Sequence, residues 1–283
     1  MFGHTHPGRG LSAAVLALLA CGEAKPEAPV VPLAPASDSV VAGIGEIGEG
    51  AWLGGNRWAV LAPAHDAVAI ADLSSHQVRP LGGRGAAEIR NPSTIFRAGD
   101  TLARLAPVDV AEVVGDAGRR FERRVFSGSD RWGTWADGSV WVARVNDNRL
   151  EWRDSTGAWH RGDALPDRVL EVTRYDRELF LRRFPPELRR TAGELPFAAI
   201  KPPFEAALAD PGGEIWLEKS RAPTDSGSRY QVLDRQGRLR REIRVPGRGR
   251  IVAAGDDAVL VAAPATDGVH LLRFAVPPEA AAR

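Results

Sequence analysis

The sequence predicts an all-β protein, a six-bladed β-propeller with four-stranded blades. Three observations support this prediction: an apolar strand pattern recurs about every 40 residues, a second strand–turn–strand pattern runs in phase with it, and helical periodicity is nearly absent. A period of about 40 to 45 residues is typical of a propeller blade, in which four short strands form one sheet.

The first pattern consists of one or two turn residues, a polar residue and a short apolar strand. Its six copies are GNRWAVLAP (55–63), GDTLARLAP (99–107), DGSVWVARV (137–145), DRELFLRRF (176–184), GGEIWLEKS (212–220) and DDAVLVAAP (256–264). Their first apolar residues are Trp58, Leu102, Val140, Leu179, Ile215 and Val259, at spacings of 44, 38, 39, 36 and 44 residues. A β-sandwich of this length would lack so regular a period, so we expect a ring of six blades.

The second pattern is a β-hairpin that follows most copies of the first. Clear examples are segments 68–81, 110–126, 149–165 and 229–245, and their turns begin at Asp72, Asp116, Asp154 and Asp234. Aspartate, asparagine and glycine favour such turns because they tolerate the backbone angles of a tight reversal. We therefore interpret these aspartates as turn formers.

The last copy lacks a partner strand, which the beginning of the domain can supply. After VLVAAP the chain has one further strand, GVHLLRFAV (268–276), whereas SVVAGIG (39–45) precedes the first copy without a partner. A propeller closes its ring by adding an N-terminal strand to the last blade, which removes an exposed sheet edge. We expect residues 39–45 to complete blade six of a domain spanning 39–278.

The fourth copy is followed by an irregular insertion in place of a hairpin. In residues 185–204, Pro185 and Pro186 followed by Glu187 predict the start of a short helix, and Gly193 with Pro196 predicts its end. Insertions between repeats often lie on the binding face, but a structural replacement for the missing hairpin is an equal alternative.

The repeat resembles that of the six-bladed propeller superfamily that includes NHL-repeat proteins and gluconolactonase-type enzymes. The tail, with DRQGRLRREIRVP, GDDAVLVAA and GVHLLRFAV, resembles that of bacterial propeller lipoproteins within this superfamily. The resemblance implies an architecture but no particular chemistry, because propellers host many unrelated functions.

One enzymatic alternative depends on this resemblance alone. Gluconolactonase-type propellers carry a Glu-Gly-Pro-x-Trp motif whose glutamate binds a divalent cation at the channel mouth. Glu49-Gly50-Ala51-Trp52 is similar to it, with Ala51 in place of proline, and Asn91 resembles a later asparagine ligand. The resemblance implies a Ca²⁺ or other divalent-cation site in a lactone or ester hydrolase. The alternative interpretation places Glu49 in a linker and Trp52 in blade packing.

The N-terminus resembles the signal of a bacterial lipoprotein. Arg9 precedes a run of ten residues, 11–20, that is apolar except for Ser12 and too short for a membrane-spanning helix, and Leu18-Leu19-Ala20-Cys21 resembles a lipobox. The resemblance implies cleavage after residue 20, lipidation of Cys21 and anchoring to a bacterial membrane, with Gly22 favouring the outer membrane and a periplasmic or cell-surface domain. An ordinary secretory signal with a chance cysteine is the alternative.

A proline-rich segment follows the cysteine. Pro26, Pro29, Pro32 and Pro35 recur every third residue, the period of polyproline II. We expect residues 21–38 to form a semi-rigid tether roughly 50 Å long between the lipid and the propeller.

Composition excludes several functional classes. The chain has 37 basic and 36 acidic residues; removal of the signal takes Arg9 away and leaves 36 of each. A domain without net charge has no general attraction to nucleic acid. With Cys21 lipidated, no disulfide or cysteine-based metal site can form within the chain, and we expect a monomer.

The remaining candidate residues favour packing over chemistry. His65, His76, His160 and His270 have no metal-ligand spacing and lie near turns or strand edges. Trp58, Trp141 and Trp216 fall within the repeated strand and are expected in the core, whereas Trp132, Trp135 and Trp159 are freer.

Two arginine clusters, RRFERR (119–124) and RLRREIRVPGRGR (238–250), are interpreted as outer strand edges, with a polyanion-binding face as the alternative. The sequence therefore predicts a non-catalytic binding or scaffold module for an unknown protein or glycan ligand. The alternatives are the hydrolase and a periplasmic glycan binder.

Overall fold

The described strands form an all-β propeller. The computed structural model describes residues 28–43, 46–63, 67–83, 94–97, 100–115 and 118–276. Within these ranges the chain forms four sheets and two separate hairpins. Each of the four sheets contains a run of four antiparallel strands. None of the helices in this part of the chain has the length and apolar character needed to cross a membrane.

Two short N-terminal strands precede the first sheet and pair with strands much later in the chain. They are β1 (Val30–Pro32) and β2 (Asp38–Val41). The first sheet then follows in the order β3-β4-β5-β6, with β3 (Gly50–Gly54), β4 (Arg57–Ala62), β5 (Ala67–Asp72) and β6 (Gln77–Gly83). On β4 the alternation of side chains buries Trp58, Val60 and Ala62 and leaves Ala59 half-buried and Leu61 exposed, as the pleat of a strand requires.

Two hairpins occupy the next part of the chain. The first joins β7 (Thr94–Arg97) to β8 (Asp100–Arg104), and the second joins β9 (Val110–Gly115) to β10 (Gly118–Arg123). They are followed by the sheet β11-β12-β13-β14, with strands Arg131–Thr134, Val140–Arg144, Arg149–Arg153 and Trp159–Arg161. Its central strand β12 buries Val140, Trp141, Val142 and Ala143.

Helices replace the fourth copy of the repeat. In chain order, three helical elements follow the second four-stranded sheet and precede the third. They are helix α1 (Arg174–Leu181), a 3₁₀ turn (Pro186–Leu188) and helix α2 (Arg189–Gly193). Helix α1 begins with a capping box, in which Thr173 Oγ1 accepts from Asp176 N and Asp176 Oδ2 accepts from Thr173 N. The helical insertion predicted at Pro185–Gly193 is confirmed.

The third sheet receives an additional strand from the N-terminus. Its order is β1-β18-β17-β16-β15, with β15 (Phe204–Ala209), β16 (Ile215–Lys219), β17 (Gly227–Leu233) and β18 (Leu239–Pro246). Strand β1 pairs in parallel with β18, Val31 lies opposite Ile243, and Leu33 beyond it is buried. Residues 30–33 of the tether expected over 21–38 therefore lie on this sheet, where Val31 and Leu33 pack in its apolar cluster.

The last sheet is completed by β2, as the sequence predicts. Its order is β19-β20-β21-β2, with β19 (Arg250–Ala254), β20 (Ala258–Ala265) and β21 (Gly268–Ala275). Val40 lies opposite Leu271, and Ala42 N donates to Val269 O at 2.8 Å. Residues 44–45 of the predicted closing segment lie outside the described residues.

The hydrophobic core consists of interfaces between neighbouring sheets. One cluster joins the last sheet to the first through Val40, Trp58 and Leu260. The other large clusters join the third sheet to the last, and the second to the third. The first strands of neighbouring sheets also contact each other, β11 with β15, β15 with β19 and β19 with β3, so these strands surround the propeller axis.

Within the described residues, four of the six predicted four-stranded blades are formed, and the other two copies of the repeat have a different structure. The Leu102 copy lies in β8 of a two-stranded hairpin, and the Leu179 copy lies in helix α1. The segment Arg174–Leu181 has no β-branched residue and is rich in arginine, glutamate and leucine, which favour a helix. The capping box adds a start signal that an apolar-strand pattern does not register.

Candidate anion-binding cleft

The four first strands contact one another in the order β11, β15, β19 and β3, and the charges near the beginnings of β15, β19 and β3 all act on Arg131, so these beginnings lie at one end of the propeller axis. Charged residues stand at or just before these beginnings: Glu49 before β3, Arg131 on β11, Glu205 on β15 and Arg250 on β19. Acidic and basic side chains therefore alternate around the mouth of the channel.

Arg131 is the most confined of these side chains. Its Nη2 donates to the main-chain oxygen of Glu205 at 2.6 Å. Burial lowers the pKa of Arg131; Glu49 opposes this shift, and the positive charges of Arg123 and Arg250 add to it. Within the described residues its Nε has no hydrogen-bond partner.

Beside this mouth lies a cleft of about 900 Å³. One wall is the linker that leads into β11, with Ser127 and Ser129, and the opposite wall is the segment 221–226 together with Gly247 and Arg248. Helix α1 and the end of the insertion, at Lys201, form the third side. A concave site of this size accommodates a small molecule.

The cleft is predominantly cationic. Six of its lining residues are basic, Arg123, Arg131, Arg183, Lys201, Arg221 and Arg248, and three are acidic, Asp176, Glu205 and Asp225. The charge of Glu205 acts on Arg131. How many of the other positive charges are available depends on the partners of Asp176 and Asp225.

Asp176 neutralises the lysine. Lys201 Nζ lies 2.5 Å from Asp176 Oδ1, and it also donates to the main-chain oxygen of Arg221 at 2.6 Å. Burial opposes ionisation of Asp176, but the hydrogen bonds from Lys201 and Thr173 lower the pKa of its carboxyl. Lys201 therefore joins helix α1 to the opposite wall of the cleft.

The carboxylate of Asp225 also has a basic partner. Its Oδ2 accepts from Arg168 Nη2 at 2.8 Å and from Ala222 N at 2.7 Å. The aspartate thus fixes the 221–226 segment and pairs with an arginine outside the cleft, and its charge does not balance the cleft arginines.

Five arginines of the cleft have no carboxylate partner in the part of the chain that the structure describes. Arg123 donates from Nε and Nη2 to the side chain and main chain of Ser127, which are neutral groups. For Arg123, Arg131, Arg183, Arg221 and Arg248 no ion pair within 4.0 Å is formed with any described acidic residue. Of these, Arg123, Arg183 and Arg248 are exposed, so the cleft presents to solvent three guanidinium groups that form no ion pair with a described acidic residue.

The floor of the cleft is apolar. The name floor refers to the six apolar residues that line the cleft, Phe126, Leu179, Phe180, Pro202, Ala222 and Pro223. The Phe126 and Phe180 rings meet edge to face with centroids 6.0 Å apart, and Phe180 and Phe197 do so at 5.6 Å. These aromatic contacts hold helix α1 against the linker that precedes β11.

A second group of ionisable side chains includes Arg250 of the mouth. Glu218 is buried opposite Tyr230 on the neighbouring strand, and Arg250 Nε lies 4.0 Å from its Oε2. Burial raises the pKa of Glu218, and burial likewise raises that of Tyr230, whose hydroxyl oxygen accepts from Ile251 N. These contacts join the third sheet to the last.

Of the two residues predicted as metal ligands, Glu49 is among the described residues and Asn91 is not. Glu49 is exposed next to β3, and Asn91 and Cys21 lie outside the described residues. In the ranges described, no three histidine, cysteine or acidic side chains come close enough to hold a metal ion. The Ca²⁺-dependent hydrolase stays a prediction.

The turn aspartates and most aromatic residues occupy the positions that the sequence predicts. Asp72, Asp154 and Asp234 accept main-chain hydrogen bonds within their turns; Asp116 lies outside the described residues. Trp58, Trp141 and Trp216 are buried, and Trp132 and Trp159 are exposed.

Trp135 is buried, whereas the sequence predicts it to be freer than the core tryptophans. It is 5% exposed, and its Nε1 donates to Gly213 O at 3.0 Å.

The histidines pair with aspartates near turns. His160 contacts Asp154 and His270 contacts Asp267, at 2.6 and 2.8 Å. His76 lies 3.7 Å from Asp38, and His65 lies outside the described residues.

The sequence contained signals for the cleft, although it did not identify the site. The two arginine clusters are far apart in the chain, yet each contributes one residue, Arg123 and Arg248. The insertion contributes Lys201 and Pro202. Arg183 and Arg221 carried no sequence signal, since single arginines are frequent in this chain.

Comparisons with known proteins do not identify a family. No family model matches the sequence, and no curated protein matches it. A solved member of the DUF4221 family from Bacteroides vulgatus is similar at 9% identity and a TM-score of 0.41, covering 88% of this chain and 94% of that chain.

Two further solved structures are similar over most of their length. A calcium-binding protein, regucalcin, from Agrobacterium tumefaciens has 12% identity and a TM-score of 0.33, with 89% of this chain and 98% of that chain covered. A gluconolactonase from Xanthomonas campestris has 12% identity and a TM-score of 0.29, with the same coverage, 89% and 98%. At these TM-scores the similarities carry no information about the cleft.

Proposed function

We propose that this protein is a non-catalytic binding module that takes an anionic ligand in the cleft beside the channel mouth. The observation that carries the proposal is the set of five cleft arginines without a carboxylate partner among the described residues. Unpaired like charges that face one cavity repel each other, and a bound anion relieves that repulsion.

The chemistry of the arginine side chain favours carboxylate or phosphate groups. A guanidinium group presents a planar fork of N–H donors that can bind two oxygens of one anion. Ser127 and Ser129 add hydroxyl groups on the same wall. Three walls contribute arginines, so an anion between them can contact more than one guanidinium group.

Helix α1 offers a matched test of this proposal. Arg183 follows the helix and lines the cleft, whereas Arg174 at its start is 93% exposed and pairs with Glu178. We expect Arg183→Gln to weaken the binding of inorganic phosphate about tenfold, the loss of a charged hydrogen bond, and Arg174→Gln to change it less than about twofold. Isothermal titration calorimetry at constant ionic strength measures both. Equal losses in the two variants, or no binding to the wild type, would contradict the proposal.

We also propose that the module is exported and anchored to a bacterial membrane through lipidated Cys21, with the propeller in the periplasm or at the cell surface. The similarity of Leu18-Leu19-Ala20-Cys21 to a lipobox supports this. Mass spectrometry of the mature N-terminus tests it. The expected result is an acylated residue 21, with release of the Cys21→Ser variant from the membrane fraction; an unmodified cysteine would overturn the proposal.

A further inference from the structure

The cleft combines a charged rim with an apolar floor. The guanidinium groups of Arg123, Arg183 and Arg248 belong to exposed residues, whereas Leu179 and Phe180 are partly buried. A site for a small hydrated anion has no use for an apolar surface next to the charges, because that surface would only contact water.

The apolar floor is held in a fixed position. Phe180 contacts Phe126, Phe184 and Phe197 with ring centroids 5.2 to 6.0 Å apart. Lys201 lies over the Phe126 ring at 5.6 Å and is itself fixed by Asp176. The floor is therefore preformed, so its contact with a ligand costs little side-chain ordering.

We infer that the ligand is a soluble organic anion with an apolar body, such as an aryl phosphate or aryl carboxylate. In this arrangement the anionic group contacts the arginines and the apolar body covers Leu179, Phe180 and Pro223. This inference rests on the proposed function, since it specifies the ligand of the same cleft.

Two features favour a soluble ligand over a membrane lipid. The site is a concavity of about 900 Å³ enclosed by three walls, which fits a whole small molecule. Its apolar residues Leu179 and Phe180 are partly buried while Arg123, Arg183 and Arg248 are exposed, whereas a surface that inserts into a bilayer carries its apolar residues outermost.

The test compares phenyl phosphate with inorganic phosphate by isothermal titration calorimetry on the full mature chain. We expect phenyl phosphate to bind at least about tenfold more tightly, because its ring removes apolar surface of the floor from water. If neither compound binds, the proposed function and this inference both fail. If both bind equally, the inference fails while the anion-binding function stands.

Two variants test whether the preference for phenyl phosphate over inorganic phosphate depends on the floor of the cleft. Phe180→Ser removes a ring of the floor, and Leu179→Asn changes a neighbouring side chain of the floor without removing an aromatic contact. In both, the affinity ratio of the two compounds is expected to fall to less than about threefold. The ratio is measured within one protein, so a partly unfolded variant does not distort it. An unchanged ratio in both variants would overturn the inference.

Phospholipid vesicles test whether the cleft binds the headgroup of a membrane lipid instead of a soluble anion. Phosphatidylglycerol vesicles are mixed with a soluble form of the chain that starts at residue 22, and sedimentation measures co-pelleting. We expect the wild-type chain to co-pellet with the vesicles no more than the Arg183→Gln variant does. Vesicle binding that requires Arg183, without a preference for phenyl phosphate, would assign the cleft to a lipid surface and contradict the inference.

Discussion

Lys201 Nζ lies 2.5 Å from Asp176 Oδ1, with side chains that are only 7% and 5% exposed. The pair joins the end of the insertion to helix α1, and the hydrogen bond from Lys201 to Arg221 O extends the connection to the opposite wall. A buried ion pair of this kind fixes the geometry of the walls, because loss of either partner leaves a charge without compensation in the interior.

The first prediction concerns the stability that depends on this pair. Lys201→Met leaves Asp176 buried without its partner and is expected to lower the free energy of unfolding by about 3 kcal/mol. Arg174→Ala removes an exposed pair with Glu178 and is expected to cost less than about 0.5 kcal/mol. Urea unfolding followed by circular dichroism measures both. Equal costs would show that the buried pair has no special role.

The second prediction is a pH dependence with a defined sign. The folded-state pKa of Asp176 is lowered by Lys201 and Thr173, so its contribution to stability is present above the unfolded pKa of about 3.9 and is lost as the pH falls through the folded pKa. The cost of Asp176→Asn should therefore be larger at about pH 7 than at about pH 3. Urea midpoints of the wild type and the variant at both values test this; a cost independent of pH would contradict it.

The third prediction concerns closure of the ring by β2. Val40 is 6% exposed in the core between the last and first sheets, whereas the next residue, Val41, is 47% exposed. Val40→Asp buries an unpaired carboxylate and is expected to cost about 3 kcal/mol, against less than about 1 kcal/mol for Val41→Asp. Thermal and urea unfolding compare the two. If both variants match the wild type, β2 does not close the last sheet.

The fourth prediction separates packing tryptophans from exposed ones. Trp58 is fully buried between sheets, while Trp159 is 39% exposed on an outer strand. Trp58→Ala should cost about 4 kcal/mol through cavity formation, and Trp159→Ala less than about 1 kcal/mol. The check is the difference in urea midpoint, and similar midpoints for the two variants would be inconsistent with the described core.

Local patterns allowed the strands and turns to be predicted, because each depends on neighbouring residues. Trp58 and Val60 alternate with less buried residues on β4, and Asp154 closes its own turn. The partnership of β2 with β21 followed from counting strands in a closed ring.

The helix at the fourth copy of the repeat could not be predicted from the same patterns. The segment around Leu179 carries an apolar run like the other copies, but its capping box and its contacts with Phe126 and Phe197 make it a helix. Contacts with residues far away in the chain override the local strand signal here.

The cleft was largely beyond sequence reasoning. Arg123, Arg183 and Arg221 come from three separate segments and meet only in the folded chain. The feature that distinguishes them is the absence of a carboxylate partner among the described residues, which depends on distances that no sequence contains.

The most direct test of the anion-binding cleft is the affinity for inorganic phosphate of two double variants with the same change in charge. Arg221→Gln with Arg248→Gln alters the cleft, and Arg119→Gln with Arg174→Gln alters residues whose side chains are 80% and 93% exposed outside it. At constant ionic strength the account predicts an affinity at least about 100-fold weaker for the cleft pair and a change of less than about twofold for the control pair. Equal affinities in the two double variants would contradict it.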